Sequence, residues 1–180
     1  MKWLVTAFEP FGGATDNSSL EVCRQLEALD WGGAVEFFSP LPVIYRRAWP
    51  VLLEELKKRP QVGGILALGQ AASRPRLSLE RLALNWIDSA QADNEGVKPG
   101  PGPIGNGPET LWSPLPWERL GDDPAWERSY SAGTFVCNAL FYELLNWAGA
   151  HRKLAGFVHV PVAVSSRAPL EKIIKFLSAL

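Results

Sequence analysis

The chain holds only two cysteines and two histidines, so a thiol nucleophile and an imidazole base could be drawn from very few side chains. Cys137 follows the small and apolar run Ala132-Gly133-Thr134-Phe135-Val136 and precedes Asn138. The stretch Ser131 to Thr134 suits a turn that leads into a helix, which puts Cys137 within the first helical turn. There the helix dipole and free backbone N–H groups activate a thiol and can hold an oxyanion. The apolar neighbours Phe135, Val136, Leu140 and Phe141 equally suit a thiol packed in a core. His159 interrupts the run Phe157-Val158-His159-Val160-Pro161, so its imidazole needs a hydrogen-bond partner or a place at the sheet's edge.

The other two candidates read as ordinary. Cys23 shares an apolar helical stripe with Leu20 and Leu26 and behaves as a small hydrophobe. His151 sits in the polar connection Gly149-Ala150-His151-Arg152-Lys153. A thiol–imidazole pair works best when a third group fixes the imidazole tautomer. Glu80 is the first choice, because a carboxylate in the semi-apolar stretch Ser78-Leu79-Glu80-Arg81-Leu82-Ala83 is costly unless partnered. An ion pair with Arg81 is the alternative use of Glu80, and Glu9 is the second choice for the orienting carboxylate. Two His and two Cys give no zinc-type ligand cluster, so no metal or other cofactor is expected. Gly12-Gly13 lacks both the G-x-G-x-x-G pattern and the lysine of a phosphate-binding loop.

These side chains need a frame. Lys2 to Ala7, Val35 to Leu41, Val62 to Leu68 and Leu154 to Val160 read as short buried strands bounded by turn residues. Leu77 to Trp86 alternates and reads as a strand along its length. Helices are expected after Ser18, capped by Ser18 with Glu21 and reaching Leu29, over Ile44 to Lys58, over Gly133 to Trp147, and over Pro169 to Leu180. Pro50 either kinks the second of these or marks a later start. From Asp88 to Pro116 the composition turns to Gly, Pro, Asn and Asp, a loop too long for an idle connection. Strands alternating with helices imply an α/β fold: three α/β/α layers around a twisted, largely parallel or mixed sheet. Ligands then collect beyond the carboxyl ends of strands, in the loops after Ala7, Leu68, Trp86 and Val160.

At 180 residues the chain suits one domain over 1–180, long enough for a single substantial core. A formal charge of -1 offers no attraction to nucleic acid or an anionic membrane. The start Met1-Lys2-Trp3-Leu4-Val5-Thr6 reaches Glu9 too soon for a signal peptide or spanning helix. Both thiols are therefore expected to be free, in a reducing cytoplasm.

Several segments together resemble the pyroglutamyl peptidase I family of cysteine peptidases. Thr6-Ala7-Phe8-Glu9-Pro10-Phe11-Gly12-Gly13 with Asn17 is similar to its N-terminal signature, with Ala7 where Gly is usual. Glu80 to Asn85 resembles the glutamate motif. Asp93-Asn94-Glu95-Gly96 through Pro116 follows the long loop, Ser131 to Asn138 the cysteine motif, and Val158-His159-Val160-Pro161 the histidine motif. The resemblance implies Cys137 as nucleophile, His159 as general base and acid, and Glu80 as orienting carboxylate. It implies that Phe8, Phe11, Phe135 and Val136 line an apolar pocket, with Asn17 and Gln70 near the ligand. It further implies a metal-free cytoplasmic enzyme acting on N-terminally pyroglutamylated peptides, as a homo-oligomer, tetramer or dimer. One departure opens a second reading. Ala90 and Gln91 stand where the family carries an Arg and an apolar residue, which suits a weak or inactive member binding a different small ligand. A third reading is a hydrolase of another amide whose polar group meets Gln91. Arg74 and Arg167 are the candidates to replace the missing Arg.

Overall fold

The computed structural model describes residues 1–163 and 166–180. In chain order these form β1 (Lys2–Phe8), α1 (Ser18–Glu27), β2 (Val35–Leu41), α2 (Ala48–Lys57), β3 (Val62–Gln70), β4 (Leu77–Glu80) and β5 (Leu82–Leu84). They continue with β6 (Thr110–Trp112), a 3-10 turn over Trp117–Leu120, β7 (Trp126–Ser129), α3 (Val136–Ala150), β8 (Leu154–Val160) and α4 (Ala168–Ser178). The main sheet runs β2-β1-β3-β8-β4-β7. Its first four strands are mutually parallel, β4 is antiparallel to β8, and β7 is parallel to β4. The sheet is thus mixed, as the α/β expectation allowed.

Alternation decides which side chains meet which helices. Trp3, Val5 and Ala7 of β1, with Leu66 and Leu68 of β3 and Leu77 and Leu79 of β4, pack with α1 and α4. Leu4, Phe8, Ile65, Ala67, Ala155 and Phe157 pack with α2 and α3. Each fully buried Leu, Ile or Phe side chain contributes about 1.5–3 kcal/mol, so both sheet faces supply core. By the same parity Gly69, Glu80 and His159 lie on the α3 face, beneath the helix that carries Cys137.

Local chemistry explains where the elements differ from expectation. Asn17, not Ser18, caps α1: its Oδ1 accepts the Ser19 N–H at 2.9 Å and the Ser19 hydroxyl at 2.7 Å. The Ser18 and Glu21 capping box is therefore displaced, and the Ser18 N–H instead donates to Gln70 Oε1 at 2.7 Å. Helix α2 starts at Ala48 rather than Ile44, which leaves Pro50 in the first turn, where its missing N–H costs nothing. Leu77 to Trp86 is not one strand. It breaks at Arg81, after which β5 pairs with β6 in a separate two-stranded sheet. Helix α3 begins at Val136 because Gly133 takes φ 79° and Phe135 is extended.

The long loop is pinned by amides and one carboxylate. Asn85 Oδ1 accepts the Ile104 and Gly105 N–H groups, each at 2.9 Å. Asp93 Oδ1 accepts from Glu95 and Val97, and its Oδ2 from Tyr45. Asn94 Nδ2 donates to Glu9 Oε1 at 2.8 Å and to the Pro10 carbonyl at 2.9 Å. These bonds dock the loop against the segment that follows β1.

Candidate active site

Strand register places a row of side chains under the start of α3. Gly69 of β3 pairs with His159 of β8, and His159 pairs with Ser78 of β4. Glu80 lies opposite Phe157, which makes it the diagonal neighbour of His159 on the same face. The two meet directly: Glu80 Oε1 is 2.8 Å from His159 Nδ1. Both are buried, Glu80 completely. A carboxylate facing Nδ1 fixes the proton there and leaves Nε2 with its lone pair outward. Arg81, the alternative partner for Glu80, turns away and pairs with Glu118.

Cys137 is the second residue of α3, and its sulfur occupies space that only a glycine leaves open. A Cβ on residue 69 would lie 2.8 Å from Cys137 Sγ and 2.7 Å from the Phe157 ring. Gly69 and His159 are register partners on adjacent parallel strands, which lie about 4.8 Å apart, so the sulfur over Gly69 lies on the side-chain row that holds His159. The first intrahelical bond runs from the Ala139 N–H to the Phe135 carbonyl. The N–H groups of Val136, Cys137 and Asn138 consequently precede the helical ladder and suit an oxyanion at the nucleophile.

Cys137 keeps some solvent exposure, yet the protein atoms crowding its sulfur push the thiol up to about 12. The Glu80 charge acts in the same direction, and the residue's own N–H acts against both. Around neutral pH this thiol therefore stays protonated. Burial likewise pushes the Cys23 thiol to about 12, and its place in the α1 core agrees with a packing role.

Asn138, also fully buried, ties this helix to the small sheet. Its Oδ1 accepts the Leu84 N–H at 2.9 Å, while Nδ2 donates to the carbonyls of Leu84 at 2.9 Å and Trp86 at 3.1 Å. The apolar wall beside the thiol combines Phe11 and Phe135, 6.0 Å apart, with Tyr45 edge-on to Phe135 at 5.4 Å. Phe8 and Val136 are buried behind this wall, Phe8 packing on Phe157 at 6.4 Å. Asn17 and Gln70 brace the α1 N-terminus: the Asn17 amide also donates to the Glu9 carbonyl at 2.9 Å. They border a cavity of about 780 Å³ at that helix end. Their polar contacts steady the loop that carries Phe11.

Glu9 holds Val43 and Asn94, which removes it as the orienting carboxylate. Gln91 Nε2 lies 3.1 Å from where a Gly12 Cβ would be, so its amide lies over the Phe11–Gly13 turn. Among the described residues, no group of three or more His, Cys, Asp or Glu side chains is placed to hold a metal. Sequence reasoning missed the parts played by Gly69 and Asn138. The glycine showed only as a strand stop, and the amide only as a neighbour of Cys137.

A thiol at a helix N-terminus, an imidazole beside it and a carboxylate behind that imidazole, on a mixed α/β sheet, define a thiol hydrolase architecture. The family model described as pyroglutamyl peptidase matches residues 1–169. A pyrrolidone-carboxylate peptidase from Bacillus amyloliquefaciens is 37% identical over 168 residues, covering 89% of this chain and 78% of the relative. The crystal structure of pyroglutamyl peptidase I from the same organism superposes with a TM-score of 0.82 at 33% identity, covering 98% of this chain and 93% of that one. A mutant pyrrolidone carboxyl peptidase from the hyperthermophile Pyrococcus furiosus gives 0.81 at 32% identity, covering 99% and 86%. The chain belongs to the pyroglutamyl peptidase family.

Proposed function

We propose that this protein is a cysteine peptidase that hydrolyses the amide bond after an N-terminal pyroglutamyl residue, with Cys137 as nucleophile, His159 as base and acid, and Glu80 as orienting carboxylate. The observation that carries the assignment of roles is the 2.8 Å contact between Glu80 Oε1 and His159 Nδ1, made beside a thiol that fills the space over Gly69. Family membership supports the choice of substrate.

The steps follow from the geometry. His159 Nε2 takes the thiol proton as Sγ attacks the pyroglutamyl carbonyl carbon, and the new C–S bond leaves an oxyanion facing the first-turn N–H groups. The resulting imidazolium is stabilised by Glu80. Collapse of the intermediate breaks the C–N bond, and the proton on His159 passes to the leaving amine. A water molecule, deprotonated by the same Nε2, then attacks the thioester and releases pyroglutamate and the free thiol.

Pyroglutamate has no α-ammonium group, so a wall of Phe11, Phe135 and Tyr45 accepts its ring without burying an ion. A free amino terminus pays that desolvation cost and is rejected. The partners we propose are pyroglutamylated peptides and a second copy of the chain. Exposed Trp86, Trp112 and Tyr130 offer apolar surface for the latter, as dimer or tetramer. Among the described residues no helix is long and apolar enough to cross a membrane, and free thiols agree with work in the cytoplasm. The test is cleavage of a fluorogenic pyroglutamyl amide against the corresponding prolyl amide. Cleavage confined to the pyroglutamyl compound supports the reading, and no cleavage of it overturns the reading.

A further inference from the structure

One cation stands at the back of the site and touches both halves of it. Arg74 lies in the connection between β3 and β4, where its own N–H donates to the Ala71 carbonyl at 3.2 Å. Its Nη2 donates to the Ser131 carbonyl at 2.9 Å and to the Ser129 hydroxyl at 3.1 Å. The same Nη2 is 4.0 Å from Glu80 Oε1, and Nη1 is 3.9 Å from Glu127 Oε1. Ser131 begins the turn that delivers Cys137 through Gly133 and Phe135. Ser129 is the β7 residue paired with Glu80 across the ladder. The guanidinium therefore joins the segment leading to the nucleophile to the strand pair carrying the carboxylate.

The physical need for such a cation is plain. Glu80 is completely buried, and its second oxygen, Oε2, has no hydrogen-bond partner. A buried carboxylate without a compensating charge is costly. A permanently charged guanidinium beside Glu80 offsets that cost. Arg74 is the cationic side chain paired with Glu80 among the described residues. At 4.0 Å the contact is a charge interaction rather than a hydrogen bond, leaving Oε1 free to accept from His159 Nδ1. Glu127 shares its charge with Arg76, whose Nε is 3.1 Å from Oε2, so Glu127 anchors Arg74 without neutralising it alone.

We infer that Arg74 is a positioning residue of the catalytic centre: it holds Glu80 aimed at His159 and sets the turn that delivers Cys137. This departs from a direct role at the transition state, the part that a replacement for the Arg missing at Ala90 would play. Arg74 acts from behind Glu80. The inference rests on the proposed peptidase activity, and turnover by the parent chain separates the two.

Arg74→Ala and Arg74→Lys are compared with the parent chain on the fluorogenic pyroglutamyl amide, with circular dichroism and thermal melts on each. Losing an outer partner that braces the inner side chains of a site typically costs about 10–100-fold. The expected result is a kcat loss on that scale in Arg74→Ala, with KM changed less than about threefold, a smaller loss in Arg74→Lys, and partial recovery of Arg74→Ala by added guanidinium ion. Guanidinium refills the charge site, which a merely structural role would not reward. An Arg74→Ala variant with parental kcat overturns the inference. So does a folded variant of reduced kcat that guanidinium leaves unchanged while Arg74→Lys is no better than Ala. If the parent chain itself fails to cleave the substrate, the peptidase reading is what falls.

Discussion

Cys137 and Gly69 are complementary: the sulfur of one fills the volume that a side chain on the other would need, 2.8 Å from the absent Cβ. The strand thus sets the thiol's position as firmly as the helix does. Gly69→Ala must push the thiol off the row it shares with His159, and it also meets the Phe157 ring at 2.7 Å. A displacement of about 1 Å at a reacting atom costs about 10²-fold, and overpacking costs about 1–3 kcal/mol of stability. Kinetics and denaturant unfolding of Gly69→Ala are expected to show both effects, and parental kcat/KM would contradict the packing relationship.

The carboxylate predicts a different signature. Glu80→Gln preserves shape but presents an amide to Nδ1, which can stabilise the wrong imidazole tautomer. Such a change lowers turnover by up to about 10⁴-fold in a triad. The expected outcome is a loss of at least about 10²-fold in kcat with near-parental melting temperature; a variant that keeps parental kcat would show that Glu80 does not orient the base.

The buried thiols give two pH dependences. Because burial holds Cys137 up to about 12, its thiolate fraction in the free enzyme climbs about tenfold per pH unit from 6 to 9. Iodoacetamide inactivation is expected to rise without a plateau over that range. A plateau near neutral pH would reveal a preformed thiolate instead.

Cys23, also raised to about 12, affects stability. A thiol protonated more tightly in the folded state contributes stability that is complete below the unfolded value near 9 and is lost as pH rises toward 12. The slope is about 1.4 kcal/mol per pH unit for each such thiol. Urea unfolding of the parent and Cys23→Ala should therefore converge between pH 9 and 11, whereas a pH-independent gap would contradict the burial effect.

Asn138 predicts a structural loss. Asn138→Ala strands the Leu84 N–H and the Leu84 and Trp86 carbonyls in half-buried positions, where an unpaired group costs less than the about 1–3 kcal/mol of a fully buried one. A lowered melting temperature and faster amide exchange along β5 are expected. Unchanged exchange there would show that the small sheet does not depend on this side chain.

Legibility varied with how local each determinant is. Val35–Leu41 and Leu154–Val160 carry strand runs bounded by turn residues, and their extents were readable. Val136–Ala150 was readable as a helix, although the positive φ of Gly133 delays its start. Trp126–Ser129 was not, because an edge strand reading Trp-Glu-Arg-Ser has no apolar alternation to betray it. The break at Arg81 was hidden for the opposite reason, since alternation continues on both sides of it. Scarcity and resemblance singled out Cys137, His159 and Glu80. Their arrangement depends on an antiparallel β4–β8 register and a missing Cβ in β3, both created only by tertiary pairing. Arg74 was visible as a spare cation, but its place behind Glu80 was not.

The proposed mechanism requires that Cys137 form a covalent acyl-enzyme with the pyroglutamyl group. Its most direct test is mass spectrometry of protein quenched in acid during turnover of an activated pyroglutamyl ester, followed by peptide mapping. The predicted result is one added pyroglutamyl group on the peptide containing Cys137, absent from Cys137→Ser. Sustained turnover with no adduct, or an adduct on Cys23 in place of Cys137, would contradict the mechanism.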